Sequence, residues 1–298
     1  MGSLDQPTIL LVGGTGTVGA HVAKTLAGRC RLRGLAHSGG SARRLAELGV
    51  EPIYGDLAEP KTLESAMAGT ERVFLASPRD DQFDHEWNVI DAAECAGVQR
   101  IVKVSILYAA DPHVVYLRRP HHVVDQRLAR SPVASTVLEP APFMTHLIPQ
   151  ADLIAQGRIS FPGGTATIAH VDPRDVAEVA AAVLAGHRVL DGSHPVTGPE
   201  ALTFAQMAAR IGDRLGRDVG AEDCPPGRFR ERIVQAGLPR WLGDGLVEIY
   251  QDFERRGEMA VADTVERVLG RPPRSIDVFT DDVLAPLIAQ GAQCQASL

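Results

Sequence analysis

The stretch "ILLVGGTGTVGAHVAKTL", Ile9 to Leu26, constrains this chain more than any other. An apolar run leads straight into Gly13, Gly16 and Gly19, spaced G-x-x-G-x-x-G, and then into a helical pattern. Each glycine has its own physical reason. Gly13 permits a tight turn, Gly16 removes a side chain where a diphosphate must approach the backbone, and Gly19 lets the helix pack closely on the strand. The helix start contributes unpaired N–H groups and a partial positive charge. Thr15, Thr17 and Val18 sit in the same loop, and the two threonines offer hydroxyl contacts. A glycine-rich turn between any strand and helix has a similar local look. Placement at the first strand-to-helix turn of an alternating chain is what points to a dinucleotide.

The alternation continues downstream. Residues 8–12, 31–37, 50–54, 72–76, 100–105 and 134–140 read as short strands, with helical stretches at 18–28, 40–48, 60–68, 84–97 and 121–130 between them. Nearly continuous apolar strands separated by helices imply an α/β fold: a Rossmann-type, doubly wound parallel sheet covered on both faces. After Pro140 the order changes. "APFMTHLIPQADLIAQG" and "RISFPGG" read as irregular, residues 172–186 as one more amphipathic helix with Asp172 as N-cap and Pro173 in its first turn, and the chain after "HPVTG" as almost wholly helical. The expected division is a dinucleotide-binding domain over residues 1–140 and a smaller, mostly helical substrate lobe over 141–298, with the helix at 172–186 packing back on the sheet.

Composition closes off other classes. A net charge of −7 argues against a polyanion-binding surface and so against nucleic acid. No apolar run approaches the roughly 20 residues of a membrane span. The start "MGSLDQPT" has neither a basic flank nor a signal core, and Cys30, Cys95, Cys224 and Cys294 are scattered without metal spacing. A cytoplasmic chain with no metal is the reading. Nothing in the sequence separates a monomer from a homodimer.

Selection between the two nicotinamide dinucleotides turns on the end of the second strand, where an acidic residue would hold the ribose hydroxyls of NAD. Here the chain reads "LAHSGGSARRL", with no acid nearby. His37, Ser38, Arg43 and Arg44 are candidates to receive a 2′-phosphate, arginine being the stronger partner and one of the two arginines belonging to a solvated helix face. NADP(H) is therefore expected over NAD(H).

Beyond the motif, the chain resembles the atypical short-chain dehydrogenase/reductases, in particular the NmrA-like and triphenylmethane-reductase-like branch. The resemblance rests on "LLVGGTGTVG", "YGDLAEPKTLESAMAGTERVFLASP", "HEWNVIDAAECAGVQRIVKVS", "TVLEPAPFM", "HVDPRDVAEVAAAVL" and "VERVLGRPPRSIDVF", which run in family order over nearly the whole chain. It implies that Asp56 and Leu57 contact adenine. Ala76, Ser77 and Pro78 would line the nicotinamide-side ribose, with Pro140 and Ala141 beside the carboxamide. Two positions depart from the family habit: Glu139 and His37 stand where arginine is common.

Typical members of the wider family carry Tyr-x-x-x-Lys, in which the ammonium lowers the phenol pKa for proton transfer. Four residues after Tyr54, Tyr108, Tyr116 and Tyr250 stand Ala58, Pro112, Pro120 and Glu254, and no lysine follows Lys103. The motif is absent. By resemblance, His121 or His122 takes the place of the catalytic lysine, and Ser105 or, in another register, Leu107 takes that of the serine; Tyr108 lies nearby in sequence. Histidines 121, 122, 146 and 170 together suggest a histidine-rich cleft suited to proton transfer near neutral pH. Phe143, Met144, His146 and Trp241 are expected to face substrate.

Two functions fit. One is an oxidoreductase passing hydride from NADPH to a carbonyl or quinone of a flat aromatic molecule, with the proton supplied by substrate, water or histidine. The lysine-poor, arginine-rich composition suggests a high-GC actinomycete, and relatives from such sources include tailoring ketoreductases of aromatic, angucyclinone-type polyketides in antibiotic biosynthesis. The other is an NADP-binding redox sensor that regulates a partner without turnover.

Overall fold

The computed structural model describes residues 6–77, 82–111 and 116–296. Its frame alternates β1 (Thr8–Val12), α1 (Gly19–Leu26), β2 (Arg31–Ala36), α2 (Gly39–Glu47), β3 (Glu51–Tyr54), α3 (Pro60–Met67), β4 (Arg72–Leu75), α4 (Gln82–Ala96), β5 (Arg100–Val104), α5 (Arg118–Ala129) and β6 (Ala134–Pro140). Side-chain alternation along β1 explains the double winding. Ile9 and Leu11 enter a core shared with Val22, Ala23 and Leu26 of α1 and Leu45 of α2. Leu10 and Val12 enter the opposite core, with Leu63 of α3, Ile90 of α4 and Leu128 of α5. A strand buried on both faces needs the unbroken apolar run that the sequence displays.

Past β6 the chain forms a 3-10 turn at Met144–Gln150, then α6 (Ala151–Ala155), β7 (Arg158–Phe161), α7 (Pro173–Leu184), β8 (Gly192–Val196), α8 (Phe204–Leu215), β9 (Gly220–Asp223), α9 (Pro226–Gln235) and α10 (Arg240–Arg256). Asp172 caps α7 by accepting from the Arg174 amide, with Pro173 next to it. Helix α7 lies against α1, and Arg271 and Arg274 from the C-terminal tail grip its Asp175 and Glu178.

The main sheet runs β3-β2-β1-β4-β5-β6-β8, all parallel. Its last strand, "GSHPV", is mostly exposed, so it lacks the apolar signature that betrays an inner strand. The "RISF" segment, expected to be irregular, is β7, paired in parallel with β9 as a separate two-stranded sheet. The expected helical tail is interrupted by that same β9, "GAED", whose four residues are all exposed. The expected loop "APFMTHLIPQADLIAQG" carries the 3-10 turn and α6. Phe161 stacks on Phe204 at 4.6 Å, and Phe229 and Tyr250 complete the aromatic centre of this lobe.

Candidate active site

The glycine loop has the close contacts its spacing requires. Gly13 adopts φ +82°, and a Cβ there would sit 2.0 Å from the Ala76 carbonyl oxygen at the end of β4. A Cβ on Gly19 would fall 2.1 Å from the Gly13 oxygen, whereas one on Gly16 would meet only that oxygen, at 3.3 Å. The first and third glycines therefore serve packing, and the second keeps a space open. No side chain caps α1, so its first amides remain for a ligand. This cradle fits a dinucleotide diphosphate.

Around it, His37 and Ser38 follow β2, and Arg43 lies on α2, all exposed. Ser38 also caps α2 reciprocally with Ser41. Asp56 makes a turn, its carboxylate accepting from the Ala58 amide at 2.9 Å, and the Leu57 carbonyl accepts from Asn88. Pro78 lies outside the described residues.

From the carboxyl end of the sheet a cleft of about 620 Å³ opens toward the lobe. Thr17, Ser77, Ser105, Leu107, His121, Pro140 and Ala141 form its sheet side; Phe143, His146, Trp241, Leu242 and Leu246 form part of its lobe side. Ser105 and Leu107 thus both reach it.

Several expected site residues do not line it. Met144 is buried in the core. Tyr108 packs against Phe253 with Arg256 4.6 Å over its ring, and takes φ +62°, alone among the described non-glycine residues in having a positive φ. His122 bonds to Gln126 one turn along α5. The reason is the helix start: α5 begins at Arg118 rather than at the histidines, because Pro120 is tolerated in a first turn. His121 and His122 then face different ways.

Beneath the cleft lies a polar group that strand periodicity hides. Lys103, in the middle of "RIVKV", is fully buried. Its Nζ lies 3.0 Å from Asp125 Oδ1, 3.5 Å from Glu86 Oε2 and 3.2 Å from His121 Nδ1. Ser105 Oγ donates to Asp125 Oδ2 at 2.5 Å, and the Ser77 amide donates to Glu86 Oε1 at 3.2 Å. Burial works against the Lys103 charge, but Glu86 and Asp125 hold its pKa above the ordinary lysine value. Burial raises Glu86 well beyond the usual carboxylate range, against the pull of Lys103. One signal in the sequence could have found this cluster: a lysine inside an otherwise apolar strand.

The histidine expectation needs correction. Burial, aided by Lys103, pushes His121 well below its ordinary pKa. Burial alone takes His146, whose Nδ1 lies 2.9 Å from the Tyr250 hydroxyl, to about 4. Burial takes His170, which does not line the cleft, to about 3. These three rings are neutral near pH 7 and do not supply protons as imidazolium ions.

The model of the NmrA-like family matches residues 5–276. The chain belongs to this family. Among its NmrA-like relatives, the NAD(P)H azoreductase of Xenophilus azovorans is 34% identical over 276 residues, covering 91% of this chain and 96% of that one. A (4-alkanoyl-5-oxo-2,5-dihydrofuran-3-yl)methyl phosphate reductase from Streptomyces griseus is 32% identical, covering 89% and 94%. The crystal structure of an NADPH-dependent quinone oxidoreductase from Escherichia coli superposes with a TM-score of 0.79 at 25% identity, covering 92% of this chain and 98% of that one.

Proposed function

We propose that the chain is an NADPH-dependent reductase that passes hydride to a carbonyl or quinone of a flat aromatic acceptor. One observation carries this reading: the cleft joins the dinucleotide end of the sheet, at Thr17, Ser77 and Ser105, to an apolar wall of Phe143, Trp241, Leu242 and Leu246. The azoreductase and quinone reductase relatives support it.

Gly13, Gly16, Gly19 and the start of α1 hold the diphosphate, and His37, Ser38 and Arg43 the 2′-phosphate. Asp56 and Leu57 meet adenine; Ala76, Ser77, Ser105, Pro140 and Ala141 position the nicotinamide end. NADPH, when bound, supplies the hydride. Position is what such a transfer chiefly requires of the protein. His121 faces the oxygen on which negative charge develops. Because the ammonium of Lys103 can only donate, His121 Nδ1 accepts from it and the ring proton stands on Nε2. The neutral ring then acts as a hydrogen-bond donor, and the proton that completes reduction comes from solvent or from a phenol of the acceptor.

The finer reading is a ketone of an aromatic polyketide as acceptor, a flat apolar body that the lining of the cleft would accept. Purified protein, NADPH and a panel of naphthoquinones and aromatic polyketide ketones test both levels. Oxidation of NADPH with quinones is the expected result. Tight NADP binding with no oxidation by any acceptor would replace this reading with the redox sensor.

A further inference from the structure

Among the described residues lining the cleft, the formally charged side chains are Arg118 and Arg232, and none is an aspartate or glutamate. Both arginines keep a guanidinium nitrogen without a hydrogen-bond partner. Arg118 is fully buried at the start of α5. Its Nε donates to the Leu107 carbonyl at 3.1 Å, its Nη1 bonds to Asp252, and the rings of Tyr108 and Phe253 lie 5.6 and 5.5 Å from its guanidinium carbon. Nη2 is buried and unbonded. Arg232, half-buried on α9, has a buried Nη1 in the same condition.

The counter-charge around Arg118 is thin. Asp252 also accepts from Arg255 and Arg256, and Arg256 reaches on to Asp111. Among the described residues, two carboxylates therefore serve three guanidinium groups, and Arg232 adds a further positive charge. Buried arginine donors ordinarily find partners, and guanidinium groups pair best with carboxylate, sulfonate or phosphate oxygens. A greasy cleft whose charged lining groups are both cations is complementary to an amphiphilic anion.

We propose that Arg118 and Arg232 make the cleft selective for an acceptor carrying an oxyanion on its apolar body. This deepens the reductase reading by naming the substrate class, and it rests on the same cleft. Binding, not turnover, tests it. NADP⁺-loaded protein is titrated calorimetrically with 2-naphthalenesulfonate, 2-naphthoate, 2-naphthyl phosphate and the neutral 2-naphthalenemethanol. The expected result is that at least one anion binds about tenfold or more tightly than the alcohol, the scale of one charge-assisted hydrogen bond. The three anions distinguish which oxyanion the site prefers.

Arg232→Gln, and separately Arg118→Lys, which keeps a charge for Asp252 but removes Nη2, should each reduce that advantage, with thermal melting confirming that the variants fold. Equal binding of the alcohol and all three anions by the parent protein overturns the proposal, as does full retention of the advantage in both variants. Should no acceptor oxidise NADPH while the anion preference stands, the reductase reading fails and the selectivity survives.

Discussion

His121 Nδ1 lies 3.2 Å from Lys103 Nζ, and that contact fixes what the imidazole can do. The ammonium has no lone pair to offer, so the ring accepts at Nδ1 and carries its proton on Nε2. Burial and the adjacent charge both disfavour imidazolium. The ring is thus held neutral, and the role proposed for it is that of a donor rather than an acid, unlike the tyrosine–lysine arrangement of the wider family.

Replacing His121 by Phe should lower kcat for a quinone by about a hundredfold, the scale for losing one donor to a developing oxyanion. The Kd for NADPH should stay within a few-fold. Tyr108→Phe, at a residue that does not line the cleft, should leave kcat nearly unchanged. Steady-state NADPH oxidation reads both; an unimpaired His121→Phe, or a collapse in Tyr108→Phe, would reassign the donor.

Lys103→Met removes the one ammonium that serves buried Glu86 and half-buried Asp125. Asp125 would then lose its paired cation, and Glu86, without the Lys103 charge that pulls its pKa down, would hold a proton near neutral pH. Breaking a buried ion pair from one side costs about 3–5 kcal/mol, and urea unfolding should show a loss of that size near neutral pH. Adding Glu86→Gln to the same chain should change stability little further, because Glu86 is already neutral once Lys103 is gone. If the single variant is as stable as the parent, the cluster is not a charged one.

Cofactor choice is tested at Arg43. The residue is exposed on α2, one turn beyond Ser38, with nothing in the strand end before it that would hold a ribose hydroxyl by a carboxylate. Arg43→Ala should weaken NADPH binding about tenfold, as expected for losing one charged phosphate contact, and leave NADH affinity where it was. Fluorescence titration with both nucleotides measures the ratio. Equal weakening would place Arg43 away from the 2′-phosphate.

Much of the fold was legible because its physics is local. Strands such as "TILLV" and "RVFLA" are buried on both faces and show it in composition. The glycines of the loop carry steric demands that no other residue meets. The edge strand "GSHPV" gave no such signal, since its outward groups face water. Within the site, His121 was visible and its separation from His122 was not, because the orientation depends on where α5 begins. Lys103 and Arg118 were hidden for a related reason. Each is a charged residue whose partners come from other elements: Glu86 on α4 and Asp125 on α5 for Lys103, and Asp252 on α10 for Arg118. Such pairings are tertiary and leave no local period.

His170 makes the fold acid-sensitive. It sits among Phe204 and Tyr250, with ring centroids 5.9 and 6.3 Å away, and burial lowers its pKa to about 3. In the unfolded chain it titrates near the ordinary value of about 6.5. As pH falls below that value, the unfolded state takes up a proton that the native state refuses, so stability drops with pH until the folded pKa is reached. Between pH 8 and pH 5 the loss from this one ring is about 2 kcal/mol, the slope approaching about 1.4 kcal/mol per unit only well below pH 6.5. His146 acts in the same direction down to about 4. Glu86, raised by burial, acts in the opposite one, the native state holding its proton more firmly than the unfolded chain. A single variant therefore isolates the ring. His170→Phe should lose about 2 kcal/mol less than the parent between pH 8 and pH 5 in urea unfolding. Identical pH dependence in the two proteins would mean that His170 takes up its proton in the native state as readily as in the unfolded one.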